Sequence, residues 1–248
     1  MGEGMREFEA DPSHPRYHSL WLRHKLELAQ HAGMLANSAM IAHGRGEAFD
    51  YLLGEKTIDS ARLATKIAAA TLQNATKPII CLNGNTTALA ADIMLQIADL
   101  LQCPIEINIF YRTNERMQAL INYLSERKKE LNLNVEILGE SPDYSIPGLK
   151  GPRASCCWNG IGESDVVFVP LEDGDRCEAL RKMGKFVIVV DLNPLSRSAQ
   201  KASLTIIDEI TRVGNNLLDF VNSPIKPETY QNEFFIQDAL SHITHRFL

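Results

Sequence analysis

The chain has 248 residues, 45% apolar and 23% charged, with a net charge of −6. That composition is ordinary for a soluble globular protein built as one large domain or a domain with appendages. The acidic balance argues against general binding of nucleic acid or anionic membrane, though it leaves room for a local basic pocket.

No apolar run approaches the roughly 18 residues a membrane helix needs. Cysteines 81, 103, 156, 157 and 177 form no CxxC pair. The odd count and the lack of a signal sequence set the expectation of a reducing cytoplasm. The vicinal Cys156-Cys157 pair reads as two reduced thiols, with redox control a minority reading.

Residues 1–12 are acidic and carry Gly and Pro, which predicts a loose tail. Residues 13–76 read as a helical part. Leu22, Leu26 and Ala29 mark a helix over 19–35; Ile58, Ala61, Ala64, Ala68 and Leu72 mark a second, with Thr57 as its expected N-cap. Between them lies His43-Gly44-Arg45-Gly46-Glu47-Ala48-Phe49-Asp50-Tyr51, expected as a connection. Its glycines let the backbone approach an anion, and Arg45 offers a planar fork of donors that Glu47 and Asp50 could orient. A plain surface turn is the other reading.

From Pro78 the rhythm changes to strand and helix in alternation. Strands are expected over 79–82, 105–111, 135–138, 166–169, 187–191 and 204–207, and helices over 86–101, 114–132, 178–183, 198–202 and 211–222. Residues 143–163 hold four Gly and two Pro and read as a long loop. A final helix is expected over 232–247. Continuous apolar strands between helices predict an α/β fold: a mostly parallel sheet over 77–222 with helices on both faces, and a helical extension over 223–248.

Such sheets bind ligands beyond the carboxyl ends of their strands. Asn83-Gly84-Asn85 sits there and offers N–H groups to an anion at a helix start, or serves as a bare capping turn. Arg112, after Phe110-Tyr111, is an anion clamp or a surface arginine. Glu172, Asp173 and Asp175 beside Arg176 could share Mg²⁺ with a phosphate or cap a helix. Asp191 suits a ribose hydroxyl. Ser196, Arg197 and Ser198 suit a phosphate or an N-cap, and Pro194 could simply stop a strand. His43 could act as a base or donate to phosphate; the other histidines read as structural or solvated. GxxxxGK[ST], GxSxG, HExxH and the third glycine of a dinucleotide fingerprint are all missing from the sequence.

Several long strings carry a resemblance. They are Ser13-His14-Pro15-Arg16-Tyr17, Ile41 to Leu52 with Gly54 to Ile58, Asn83-Gly84-Asn85, Phe110 to Thr113, Ile146 to Leu149, Val169 to Arg176 with Glu178-Ala179-Leu180, Met183 to Val187, and Asp191 to Ser198. On these the chain resembles the archaeal phosphopantothenate synthetase (4-phosphopantoate–β-alanine ligase) family from Ser13 nearly to the C-terminus. The resemblance implies a homodimer with a Rossmann-like core. It implies that ATP, 4-phosphopantoate and β-alanine give 4′-phosphopantothenate, AMP and pyrophosphate through an acyl-adenylate, in coenzyme A synthesis, with Mg²⁺ accompanying ATP.

By the same resemblance ATP would be contacted by Arg23, Arg45, the Asp175-Arg176 segment, Asn193 and Pro194, and Asp173, Cys177, Asp191 and Arg197 are further candidates for the nucleotide. His43, Asn83, Asn85 and Arg112 are the candidates for phosphopantoate and its reacting carboxylate, with Arg45 shared. A kinase that releases ADP, or a non-catalytic nucleotide-binding module, would use the same kind of cleft. No membrane or nucleic-acid partner is expected.

Overall fold

The computed structural model describes residues 8–171, 173–226, 228 and 230–246. In chain order the elements are α1 (Tyr17–His31), α2 (Ser38–Leu53), α3 (Asp59–Gln73), β1 (Pro78–Leu82), α4 (Gly84–Leu100), β2 (Ile105–Ile107), α5 (Asn114–Glu130), β3 (Ile137–Leu138), β4 (Tyr144–Ser145) and β5 (Ser155–Cys156). β6 (Val166–Pro170), α6 (Gly174–Lys182), β7 (Phe186–Val190), α7 (Arg197–Lys201), β8 (Leu204–Ile206), α8 (Ile210–Val221) and α9 (Asn232–His245) follow.

Six strands form one parallel sheet in the order β3-β2-β1-β6-β7-β8. The side-chain alternation of strands divides the apolar residues between two layers. Ile80, Leu82, Phe168, Ile188 and Val190 face a large core with α1, α3, α4, α8 and α9. Ile79, Cys81, Val167, Val169, Val187 and Val189 face a smaller one with α6 and the 144–161 segment. Burial on both faces is why these strands read as unbroken apolar runs. The chain leaves β1 toward β2 and β3, then returns to β6 and continues the other way. The strand order therefore reverses between β1 and β6, which opens a crevice at their carboxyl ends.

The α/β expectation holds, and four local expectations are corrected. The Gly44-Arg45-Gly46 segment is not a connection; it lies inside α2, and neither glycine has a positive φ. Helix formers on both sides carry the two glycines, each at about 1 kcal/mol relative to alanine. Thr57 does not cap α3: its hydroxyl donates to Asp208 Oδ2 at 2.6 Å, and Ile58 takes the cap position. The strand expected over 105–111 ends at Ile107. Asn108 turns its amide to the carbonyls of Ser155 (2.9 Å) and Arg153 (3.3 Å), which sends the chain out over the crevice.

The expected 143–163 loop contains the β4–β5 ribbon, a 3-10 turn over Pro152–Ala154 and a π turn over Trp158–Gly162. Buried Glu106 organises it by accepting the N–H groups of Cys157 (2.9 Å) and Ile161 (2.8 Å). Of the expected tail, residues 1–7 lie outside the described residues, and the Phe8 ring packs 5.0 Å from that of Trp21.

Gly139 follows β3 at φ +109, and a Cβ there would fall 2.3 Å from the Ile107 carbonyl oxygen. Gly139→Ala should therefore destabilise the fold by about 2 kcal/mol or more, read as a lower urea midpoint.

Candidate functional site

An open cleft of about 200 Å³ lies over the carboxyl ends of the sheet. Its walls come from the residues directly after the strands: Asn83, Gly84 and Asn85 after β1, Ile109 to Tyr111 after β2, Leu171 after β6 and Leu192 after β7. The α2 face that closes it carries His43, Gly46, Glu47 and Asp50. These stand at i, i+3, i+4 and i+7, one stripe of a helix.

Asn83 is the junction. Its Oδ1 caps α4 by accepting the Thr86 N–H at 3.0 Å, and its amide donates to the carbonyls of Leu171 (2.9 Å) and Pro170 (3.1 Å). Those bonds hold Leu171 at φ +55, a left-handed conformation that a leucine rarely adopts. Asn85 donates to Ala39 O at 3.0 Å and ties α4 to α2. Gly84 packs where a Cβ would sit 2.9 Å from Leu35 Cδ2 and 3.0 Å from Met34 O. The first N–H groups of α4 have no acceptor within the helix, and its positive end therefore suits an anion in the cleft.

His43 faces the same space. Its Nε2 is buried without a hydrogen-bond partner among the described residues. Burial holds its pKa below the ordinary value, so the ring is neutral at pH 7. Glu47 accepts from Arg23 (Nη2, 2.8 Å), Arg16 (3.0 Å) and the Ser19 hydroxyl, joining α1 to α2. Burial pushes Glu47 up, but the Arg23 and Ser19 hydrogen bonds and the Arg23 charge outweigh it and leave the pKa low.

Under the cleft Arg212 bridges Asp208 (Nε–Oδ1, 2.8 Å) and Asp50 (Nη1–Oδ2, 3.2 Å). Burial pushes both carboxyls up, against the Arg212 charge and hydrogen bonds. Glu209 caps α8 through Thr211 N (2.9 Å) and Arg212 N (3.2 Å), and lines the cleft.

The sequence candidates divide. His43, Asn83 and Asn85 meet in the cleft. Arg45 does not line it: at i+2 from His43 it stands off the stripe, exposed and without a hydrogen-bond partner among the described residues. Its charge still reaches Asp191, where it opposes the upward push of burial. Arg23 sits at the rim, paired with Glu47. Arg112 is turned away; its Nη2 donates to the carbonyls of Gly139 (2.6 Å) and Glu140 (3.0 Å).

Arg116, absent from the sequence reading, takes the cleft position instead. It donates to Tyr111 O and Met34 O, and its Nε is buried without a partner among the described residues. An arginine in the first turn of α5 opposes the helix dipole, and that conflict was the available signal. Asp208 and Glu209 were also overlooked, although they directly follow β8.

Asp173, Asp175 and Arg197 line a neighbouring groove that shares Phe110 and Arg153 with the cleft. Asp173 caps α6 through Asp175 N at 2.9 Å, while Arg197 pairs with Asp175 and with Glu178 at 3.0 Å. Arg176 and Cys177 line neither cavity; both are buried against the sheet, with Arg176 Nη2 3.3 Å from Cys81 Sγ. Asp191 accepts from Asn193 N (3.0 Å) and the Ser196 hydroxyl, which folds the loop carrying Asn193 and Pro194 and points Leu192 at the cleft. Glu172 lies outside the described residues.

A doubly wound sheet, with helix-start N–H groups, arginines and a neutral histidine converging at its switch point, defines an α/β enzyme that handles anionic substrates. Residues 60–245 match the family described as Phosphopantothenate/pantothenate synthetase. The 4-phosphopantoate–β-alanine ligase of Thermococcus onnurineus is 44% identical over 243 residues, covering 94% of this chain and 92% of that protein. That of Thermococcus kodakarensis gives the same identity and coverage, and that of Methanospirillum hungatei is 43% identical over 95% of this chain and 97% of its own. The chain belongs to the phosphopantothenate/pantothenate synthetase family.

Arg212→Met would leave Asp50 and Asp208 buried without their cation. A loss of about 3 kcal/mol or more is expected on urea unfolding.

Proposed function

We propose that this chain is an ATP-dependent ligase that condenses 4-phosphopantoate with β-alanine to 4′-phosphopantothenate, releasing AMP and pyrophosphate. The observation that carries the reading is the meeting of the α4 N-terminus, Arg116 and neutral His43 in one cleft, in a chain that belongs to this family. A carboxylate is a poor electrophile. Its oxygen attacks the ATP α-phosphorus and displaces pyrophosphate; the β-alanine nitrogen then attacks the acyl carbon, and AMP leaves with the carboxylate oxygen. An ammonium has no lone pair for that attack, so a base must first take a proton, and His43 is assigned that role.

Phosphopantoate is assigned to the α4 start with Asn83, Asn85 and Arg116, where oriented N–H groups and a guanidinium balance its charge. Arg112 then acts indirectly, by fixing the 139–140 turn. ATP is assigned to Arg23, Arg45, the 191–197 loop with Asp191, Asn193, Pro194 and Arg197, and the α6 start with Asp173 and Asp175; Arg176 and Cys177 support that side from beneath. Mg²⁺ accompanies ATP, held by phosphate oxygens and water. Among the described residues no group of three His, Cys, Asp or Glu side chains stands ready to bind a metal by itself.

The active form is proposed to be a homodimer working in the cytoplasm, in coenzyme A synthesis. All five cysteines are described, buried and free. Among the described residues no helix is long and apolar enough to cross a membrane.

The direct test is turnover with ATP, Mg²⁺, 4-phosphopantoate and β-alanine, resolving the nucleotides and the condensed product by mass. AMP and 4′-phosphopantothenate should appear one for one and only with both acids present; ADP without condensation would overturn the reading. Arg45→Ala should lower kcat/KM about 100-fold or more while leaving the melting temperature within a few degrees, since Arg45 holds nothing in the fold. Burial lowers the His43 pKa from 6.5, and the acid limb of kcat/KM should accordingly lie below pH 6.5. His43→Asn should remove that limb and about 100-fold of the rate.

A further inference from the structure

Helix α4 is broken at Ala90, whose torsions (φ −137°, ψ 19°) are not helical. A helical bond ending on Leu89 O would come from Ile93 and span Ala90, whose torsions depart from the values such a bond needs. Lys25 Nζ donates to Leu89 O at 2.7 Å. Lys25 belongs to α1, two residues beyond Arg23, which pairs with cleft-lining Glu47.

The contact is not the ordinary habit of a lysine. A long cationic side chain at a helix interface lays its stem on apolar surface and sends its ammonium to water. Lys25 is only partly exposed, and its ammonium turns to a backbone carbonyl. The nearby carboxylates are already engaged. Asp92 takes two bonds from Arg127, both 2.7 Å, and Glu209 takes the N–H groups of the α8 start. Burial lowers the Lys25 pKa, opposed by the charges of Asp92 and Glu209.

The two halves of α4 also answer to different partners. The part before the break, with its cap Asn83, carries Gly84 and Asn85 into the cleft, fastened to Leu171 O and Ala39 O and packed close to Met34, and Leu89 itself lines the wall. The part after it is held by the Asp92–Arg127 pair to α5 and by apolar contact with α8.

We propose that Lys25 is a positioning residue: by donating to Leu89 O beside the Ala90 break, it holds the first two turns of α4 at the angle that presents the N–H groups of the helix start to the anionic substrate. The proposal rests on the assignment of phosphopantoate to the α4 start. Lys25 touches no substrate. Its effect runs through the direction of α4, and α1 thereby fixes two walls of the cleft together, through Arg23–Glu47 and through Lys25–Leu89.

The test compares Lys25→Met, which keeps the stem and removes the donor, with Lys25→Arg, which restores one. Steady-state kinetics are read together with hydrogen–deuterium exchange over 84–100. Lys25→Met should raise KM for 4-phosphopantoate and lower kcat, about tenfold in combination, with KM for ATP unchanged; Lys25→Arg should return to within about threefold of the parent. Exchange should quicken over 84–92 and stay as before over 94–100. Unchanged kinetic constants with a lower melting temperature would make Lys25 merely structural and overturn the proposal, as would exchange that rises evenly along the helix or not at all. A parent protein that turns over none of the three substrates would instead sink the ligase reading. The exchange pattern would still decide whether Lys25 holds the break.

Discussion

The side chain of Asn83 spans the point where the strand order reverses. One end caps α4 and the other holds the carbonyls of Pro170 and Leu171 at the end of β6. At a switch point the two flanking loops part, and nothing in the sheet itself sets how far. Asn83 sets it here, with two donated bonds and two accepted from Thr86. The forced φ of Leu171, the approach of Gly84 to Met34 and the tie from Asn85 to α2 all follow from where that bridge puts the start of α4.

Around this fixed point the charges are arranged so that few cations are spent on one another inside the cleft. Glu47 gathers Arg16, Arg23 and Ser19 at the rim. Asp50 on the cleft wall and Asp208 beneath it share Arg212, which leaves one net negative charge that Thr57 helps to solvate. The α4 start, Arg116 and a neutral imidazole face the same opening, with the Glu209 carboxylate beside them on the α8 side. The helix start and the guanidinium are oriented before a ligand arrives, so they require no reorganisation when charge develops on a bound phosphate.

The sheet was legible in the sequence because each core strand is a short apolar run buried on both faces, and the turn residues after it punctuate clearly. Asn83 and Asn85 were legible for the same reason: topology alone puts them over the carboxyl edge. Arg45 misled, because two glycines look like a turn when the tertiary setting that makes them helical is not in view. Read as helix, the same string sets His43, Gly46, Glu47 and Asp50 on one stripe and Arg45 off it. Arg112 and Arg116 could not be told apart by position after β2. What separates them is the turn at Gly139, which captures Arg112, and no local pattern encodes that contact. Asp208, Glu209 and Arg212 form a buried ion network made between α2, α8 and the end of β8, and only the fold brings those segments together.

The most direct measurement follows the carboxylate oxygen. With 4-phosphopantoate labelled in its carboxylate with ¹⁸O, activation at the α-phosphorus must carry one labelled oxygen into AMP as the amide forms. Label in AMP, in amount equal to product, is the predicted result. Label in inorganic phosphate, with ADP as the nucleotide product, would mean an acyl phosphate and would contradict the adenylating chemistry assigned to this cleft.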